Sequence, residues 1–178
     1  TVHVVGIGLR GVPPEALKTK CWIYFPESDN PFYRATVLSN YSPHNVPVPG
    51  EYWSLLLEVS ESLSKPVARA HVVESVIDGL LATGLIASRD DIVDTWHFTA
   101  PRGYPTPSLQ RDQALEVVLP ALEAAQIYSR GRFGAWKYEV SNQDHSLMQG
   151  VELIDRLAGA GEEQTVWKPD FVNTRPKP

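Results

Sequence analysis

The chain has 178 residues, 43% of them apolar and 10% aromatic, and carries a net charge of −5. That length suits a single globular domain that buries roughly 70% of the surface of its unfolded chain, and the composition excludes a disordered polymer. No basic stripe offsets the negative charge to suit nucleic acid, no apolar run approaches the roughly 20 residues that cross a bilayer, and no secretory leader opens the chain, so a soluble cytoplasmic protein is expected.

The first third reads as antiparallel strands bounded by Pro, Gly, Asn or Asp: Val2 to Gly8, Cys21 to Phe25, Tyr33 to Tyr41 and Tyr52 to Ser60. In the fourth, Trp53, Leu55, Leu57 and Val59 alternate with Ser54, Glu58 and Ser60, which predicts one buried and one wetter face, with Leu56 breaking the pattern. In the third, Arg34 and Tyr41 fall on opposite faces of a regular strand, so a bend near Ser39 is needed to bring them together. A helix over about 67–83 carries the stripe Val72, Val73, Val76, Ile77, Leu80 and Leu81, with Gly84 as its stop.

Asp91 to His97 reads as a further strand and Pro101 to Pro107 as a stiff loop. A helix over about 109–125 contains Pro120, which predicts a kink or a division. Ile127 to Ser129 reads as a sixth short strand, and Asn142 opens a last helix whose Leu147, Val151, Ile154 and Leu157 are expected to face the core. The fold class is therefore α+β, a largely antiparallel sheet of about six strands with three helices, forming one domain over 1–173 with a frayed tail at 174–178.

Several motifs resolve toward their plainer reading. Gly6-Ile7-Gly8-Leu9-Arg10-Gly11 matches a dinucleotide fingerprint, but Val12-Pro13-Pro14 follows where a helix should open, so strand and loop are expected. The single Cys21 permits no intramolecular disulfide and reads as a small strand residue. His44, His71, His97 and His145 lack metal-ligand spacing, so no metal is expected. The chain opens at Thr1 without methionine, which points to processing, an engineered boundary or an excised segment.

The run from Arg130 to Gly150 suggests chemistry. Arg130 and Arg132 offer planar forks for phosphate, the glycines permit close backbone approach, and Asn142 can cap a helix whose free N–H groups favour an anion. A phosphorylated ligand or cofactor fits this pattern.

Longer motifs carry a resemblance. Phe25-Pro26-Glu27, Pro31-Phe32-Tyr33-Arg34-Ala35-Thr36, Ser39-Asn40-Tyr41-Ser42-Pro43, Tyr52-Trp53-Ser54, Gly103-Tyr104-Pro105-Thr106-Pro107 and Pro169-Asp170-Phe171-Val172-Asn173, together with the opening run, stand in one order along the chain. In that order they resemble the C-terminal half of eukaryotic-type, fungal-like UDP-galactopyranose mutases. The resemblance implies an isomerase of nucleotide sugars that interconverts UDP-galactopyranose and UDP-galactofuranose with reduced FAD, through a flavin N5–sugar adduct. Such chemistry requires a site that binds a departing diphosphate and holds the sugar at the flavin edge.

By the same resemblance, Arg34 is the diphosphate clamp, and Tyr41, Tyr104 and Tyr138 are the tyrosines around the phosphates. Trp22 and Tyr24 line the substrate cleft, and Asn142 touches substrate and flavin. Arg132, Gln143 and Ser146 stand near the cofactor, where the helix N-terminus favours a reduced anionic flavin. No residue is singled out as catalytic.

The family has a histidine before Gly-Tyr-Pro where this chain has Arg102, and a longer loop between the equivalents of Tyr41 and Tyr52. The family's N-terminal FAD-binding half, with its dinucleotide fingerprint and second diphosphate arginine, has no counterpart here. The implied partners are a UDP-sugar or other small anionic ligand, and a complementary N-terminal half or a homo-oligomer covering the exposed sheet face. Activity is expected only on completion by that half. The alternatives are a stand-alone ligand-binding or protein-interaction module, or a small repurposed enzyme without flavin.

Overall fold

Alternation in Tyr52–Ser60 governs the sheet: Trp53, Leu55, Leu57 and Val59 are buried on one side, while Ser54, Leu56 and Ser60 lie on the other. The computed structural model describes residues 1–174, which divide into two compact units, the first Thr1–Tyr104 and the second beginning at Pro105.

In the first unit five strands form one antiparallel sheet: β1 (Val2–Arg10), β2 (Trp22–Tyr24), β3 (Arg34–Val37), β4 (Tyr52–Ser60) and β5 (Ile92–Ala100). Their order is β2-β3-β4-β1-β5. The α+β class expected from sequence holds, with five strands in place of six.

Register puts Val5, Ile7, Leu9, Ala35, Val37, Leu55 and Leu57 on one face with Trp53 and Val59. Helix α1 (Val72–Ala82) contributes Val72, Val76, Ile77 and Leu80 to the same cluster. Each such side chain contributes about 1.5–3 kcal/mol on burial. The helix starts at the first residue of its apolar stripe, later than the expected start near residue 67, because Arg69–His71 form a 3-10 turn ahead of it. Gly84 stops it as expected: at φ +68° it lets Leu85 N–H reach Leu80 O and its own N–H reach Leu81 O.

The opposite face is open. Trp22 and Tyr24 share it with Arg34 and Thr36, and the adjacent strands add Leu56 and Glu58, Val4 and Gly6, and Trp96 and Phe98. Trp96 and Phe98 stack at 6.0 Å between ring centroids, and both are more than half exposed. Gly6 and Gly8 lie inside β1, paired on both sides, so they form no phosphate loop.

The second unit is helical: α2 (Arg111–Ala124), α3 (Gly131–Gly134), α4 (Gln143–Leu157) and α5 (Pro169–Thr174). The three helices expected from sequence correspond to α1, α2 and α4; the two short ones were not expected. Helix α2 runs undivided through Pro120, which removes one backbone rung. The expected strand at Ile127–Ser129 does not form. Gln126 turns left-handed at φ 59°, and Ile127 N–H bonds Leu122 O while Gln126 N–H bonds Glu123 O, so this apolar residue completes the helix cap.

The expected direction of α4 is also corrected. Leu147, Val151, Ile154 and Leu157 are 69, 44, 63 and 50% exposed. The helix instead turns Gln149, Glu152 and Arg156 onto the loops of its own unit: Glu152 accepts from the Gln164 and Thr165 N–H groups and Arg156 donates to Glu163. Thr174, expected to fray, closes α5 by donating to Asp170 O; the rest of the expected tail, 175–178, lies outside the described residues.

Candidate functional site

Four of the side chains assigned to the substrate by resemblance meet on the open face of the first unit. Tyr24 lies across from Arg34 in the β2–β3 register, with Trp22 two residues away on the same face. The Arg34 guanidinium sits 5.7 Å from the centre of the Trp22 ring, and Trp22 and Tyr41 have their centroids 6.3 Å apart. Tyr41 reaches this group because β3 ends at Val37 and a 3-10 turn over Leu38–Asn40 follows, which is the bend expected near Ser39. Asn40 pins the turn by donating to the carbonyls of Leu17, Lys18 and Lys20. Trp22, Tyr24 and Tyr41 each remain at least half exposed, so the cluster is a surface.

Two residues that the sequence reading did not assign to the site organise this cluster. Glu58 is buried, and its carboxylate accepts from Arg34 Nε at 2.9 Å and also from Arg34 Nη2. The Tyr33 hydroxyl donates to the other oxygen of Glu58. Burial and then the Glu58 carboxylate push the Tyr33 hydroxyl well above the usual tyrosine range. Burial opposes the Arg34 charge, but hydrogen bonds with Glu58 and Tyr24 outweigh it and hold the guanidinium protonated. Partial desolvation against the sheet foremost, and the neighbouring Cys21, raise the half-exposed Tyr41 hydroxyl, while Arg34 lowers it.

Tyr104 is half-buried and near enough to Tyr33 to act on it electrostatically. Gly103 fixes the approach of its loop, since a Cβ there would lie 2.8 Å from Val2 Cβ.

The second unit holds the other named residues. Gly131, at φ +81°, opens α3, where Arg132 is half-buried. Tyr138 starts a 3-10 turn over Tyr138–Val140 that is closed by Ser141 Oγ donating to the Tyr138 carbonyl. Asn142 takes the extended backbone of an N-cap for α4, yet its side chain makes no capping bond, which corrects the capping role read from the sequence. Asn142 and Gln143 are exposed, Ser146 is half-buried, and the buried Nδ1 of His145 has no hydrogen-bond partner.

Arg130 is not available to an anion as the sequence suggested. It donates to Glu163, Glu123 and the Ser129 carbonyl, with Trp167 5.8 Å from the guanidinium carbon. Among the described residues no group of three His, Cys, Asp or Glu could hold a metal, and no helix is long and apolar enough to cross a membrane.

An antiparallel sheet with an aromatic and arginine surface on its open face, joined in sequence to a short helical unit, defines an α+β protein. No family model matches the chain. A solved structure described as reduced UDP-galactopyranose mutase matches it with a TM-score of 0.89 and 55% sequence identity, covering 97% of this chain and 36% of that one. At that identity the two are homologous, and the resemblance read from the sequence is to the same enzyme. The chain spans just over a third of the length of that mutase.

Proposed function

We propose that the chain supplies the substrate- and flavin-contacting C-terminal portion of a eukaryotic-type UDP-galactopyranose mutase, which interconverts UDP-galactopyranose and UDP-galactofuranose once a FAD-binding portion completes it. The observation that carries this reading is the grouping of Arg34 with Trp22, Tyr24 and Tyr41 on one exposed surface. An arginine held charged beside aromatic faces and hydroxyls suits a nucleoside diphosphate, because phosphate takes charge-assisted hydrogen bonds and a uracil or sugar ring stacks on the aromatics. Tyr104, Tyr138 and Asn142 extend the set of polar contacts proposed for the substrate.

The fit to FAD is partial. Gly6 and Gly8 are consumed in the sheet, so nothing at the fingerprint-like run cradles a dinucleotide. The start of α4 does fit one edge of a flavin: Asn142 and Gln143 are exposed at an N-terminus that favours negative charge, and the His145 Nδ1 lacks a partner. Asn142, Gln143 and Ser146, with Arg132, would hold that edge. When bound, reduced flavin supplies the nucleophilic nitrogen for sugar transfer. The work of this chain's residues is to bind the departing diphosphate and to fix the sugar's position. The exposed Trp96 and Phe98 and the outward stripe of α4 support a partner surface, which we assign to the complementary half of the enzyme.

Titration calorimetry with UDP tests the reading. The chain is expected to bind UDP, and Arg34→Ala to weaken that binding by about 1.5–3 kcal/mol, tenfold or more; adding a separately expressed FAD-binding half should then yield furanose product under reducing conditions. Absence of a UDP heat in the unmodified chain, or a heat untouched by Arg34→Ala, refutes it.

A further inference from the structure

The charge on Arg34 does not stand alone on the open face. Glu58 lies beside it across β3 and β4, in register with Arg34 on one side and Val4 on the other, in the middle of the sheet. Its side chain is only 10% exposed, against 22% for Arg34. One oxygen takes both the Nε and the Nη2 donors of the arginine, and the other takes the Tyr33 hydroxyl. This contact consumes one edge of the guanidinium, and the Trp22 ring occupies the space beside it. The Nη1 corner lies outside the contact with Glu58, and the guanidinium also hydrogen-bonds the Tyr24 hydroxyl, itself at the exposed surface.

A carboxylate next to an anion site has two opposed effects. Its charge repels a diphosphate and cancels much of the arginine's field. Its hydrogen bonds fix a side chain that otherwise loses rotamer freedom when it binds, so less ordering remains to be done in the complex. Burial of Glu58 with all three donors satisfied favours the second effect, because the pair is already formed and desolvated without a ligand.

We propose that Glu58 is a positioning residue for the anion site, which together with Tyr33 locks the Arg34 guanidinium beside Trp22 and turns its Nη1 corner, rather than its Nε edge, toward the ligand. The proposal rests on the reading of Arg34 as the diphosphate clamp. It gives that clamp a specific geometry: an end-on phosphate contact through Nη1, with the Nε side closed to the ligand.

The test is a double-mutant cycle on the whole chain, with UDP as the probe, combined with an NMR measurement of the Arg34 Nε–H that needs no ligand. Glu58→Ala should weaken UDP binding about tenfold or more while Arg34 is present and less than about twofold in an Arg34→Ala background, because Glu58 acts only through Arg34. In the free chain, the slowly exchanging Arg34 Nε–H signal should be lost in Glu58→Ala. Glu58→Gln keeps the volume and one acceptor, and should show the same pattern at about threefold if Glu58→Ala does not fold.

Tighter UDP binding in either variant overturns the proposal, since that is what removal of a repelling charge alone would give. A loss that persists in the Arg34→Ala background also overturns it. A chain that gives no UDP heat refutes the substrate reading instead, and an Arg34 Nε–H equally protected with and without the Glu58 carboxylate refutes the positioning role independently.

Discussion

Gln149 holds Gly131 and Val140 to one side of α4: its Oε1 accepts the Gly131 N–H at 2.8 Å, and its Nε2 donates to the Val140 carbonyl at 2.7 Å. The side chain is fully buried, so neither backbone group has water to replace it. Arg132 and Tyr138 both lie in the segment between these two anchors. Gln149→Leu keeps the bulk, removes both bonds, and should destabilise the chain by about 1–3 kcal/mol, the cost of leaving buried polar groups unsatisfied. Urea unfolding measures this, and a change below about 0.5 kcal/mol, the scale of a neutral surface substitution, would show that the clamp is dispensable.

Arg130 and Glu163 form the most buried ion pair in the helical unit, with side chains 6% and 0% exposed. Arg156 donates to the same carboxylate and Glu123 accepts from Arg130, so two arginines and two acids share one network. Arg130→Ala leaves Glu163 with only the half-exposed Arg156, and should cost about 3–5 kcal/mol, as for other broken buried pairs. Arg130→Met, which keeps the stem under Trp167, separates charge from packing. Equal losses in the two variants assign the effect to the ion pair, and an unchanged midpoint in both contradicts the account.

These networks mark where the sequence ceases to be readable. Strand β4 and the Gly84 stop were legible because alternation and a glycine at a helix end are local signals. The bend after Val37 was legible too, from the need to bring Tyr41 round toward Arg34. Glu58 was not, since its role depends on a register between strands that are 24 residues apart at Arg34. The direction of α4 misled for a related reason. Its apolar stripe indicated the buried side, but Gln149, Glu152 and Arg156 find partners in loops up to 18 residues away in sequence, and those partners set the inward face. Arg130 looked like an anion fork only while Glu163, 33 residues further on, was out of view.

At one end of β1 and β5, His3 and His97 share a hydrogen bond of 3.1 Å, and His3 Nε2 lies 3.1 Å from Glu61, which also accepts from Arg69. Thr99 Oγ1 is 3.2 Å from His3 Nδ1. Partial desolvation first, and then the neighbouring His3, lower the pKa of the exposed His97 below the ordinary 6.5, so the fold favours the neutral ring. The sign follows from linkage. The unfolded chain binds the His97 proton more readily, so this contribution is complete above 6.5 and is lost as pH falls toward the lower folded value. Glu61, lowered chiefly by its bonds from Arg69, adds a second loss in the same direction below 4.5. Thermal midpoints should therefore fall in two stages on acidification, and His97→Gln should remove the first while leaving the second. An identical first stage in His97→Gln would assign that step to another group.

Leu147, Val151 and Ile154 repeat at helical spacing on the outer side of α4, with Leu157 one residue short of the next turn. In water such a stripe adds little to the stability of the chain, because its apolar area is not removed from solvent. Substituting Leu147 and Ile154, the two most exposed of the four, with glutamine should therefore shift unfolding by no more than about 0.5 kcal/mol at each site, whereas Leu80→Ala in the core of the first unit should cost about 2–5 kcal/mol. The same two glutamines should strongly weaken association with a complementary FAD-binding half, because an apolar stripe is the part of an interface that supplies affinity. Sedimentation of mixtures reads association and urea unfolding reads stability. Large destabilisation of the isolated chain by the glutamines would place the stripe in its own core, and undiminished association would remove α4 from the partner surface.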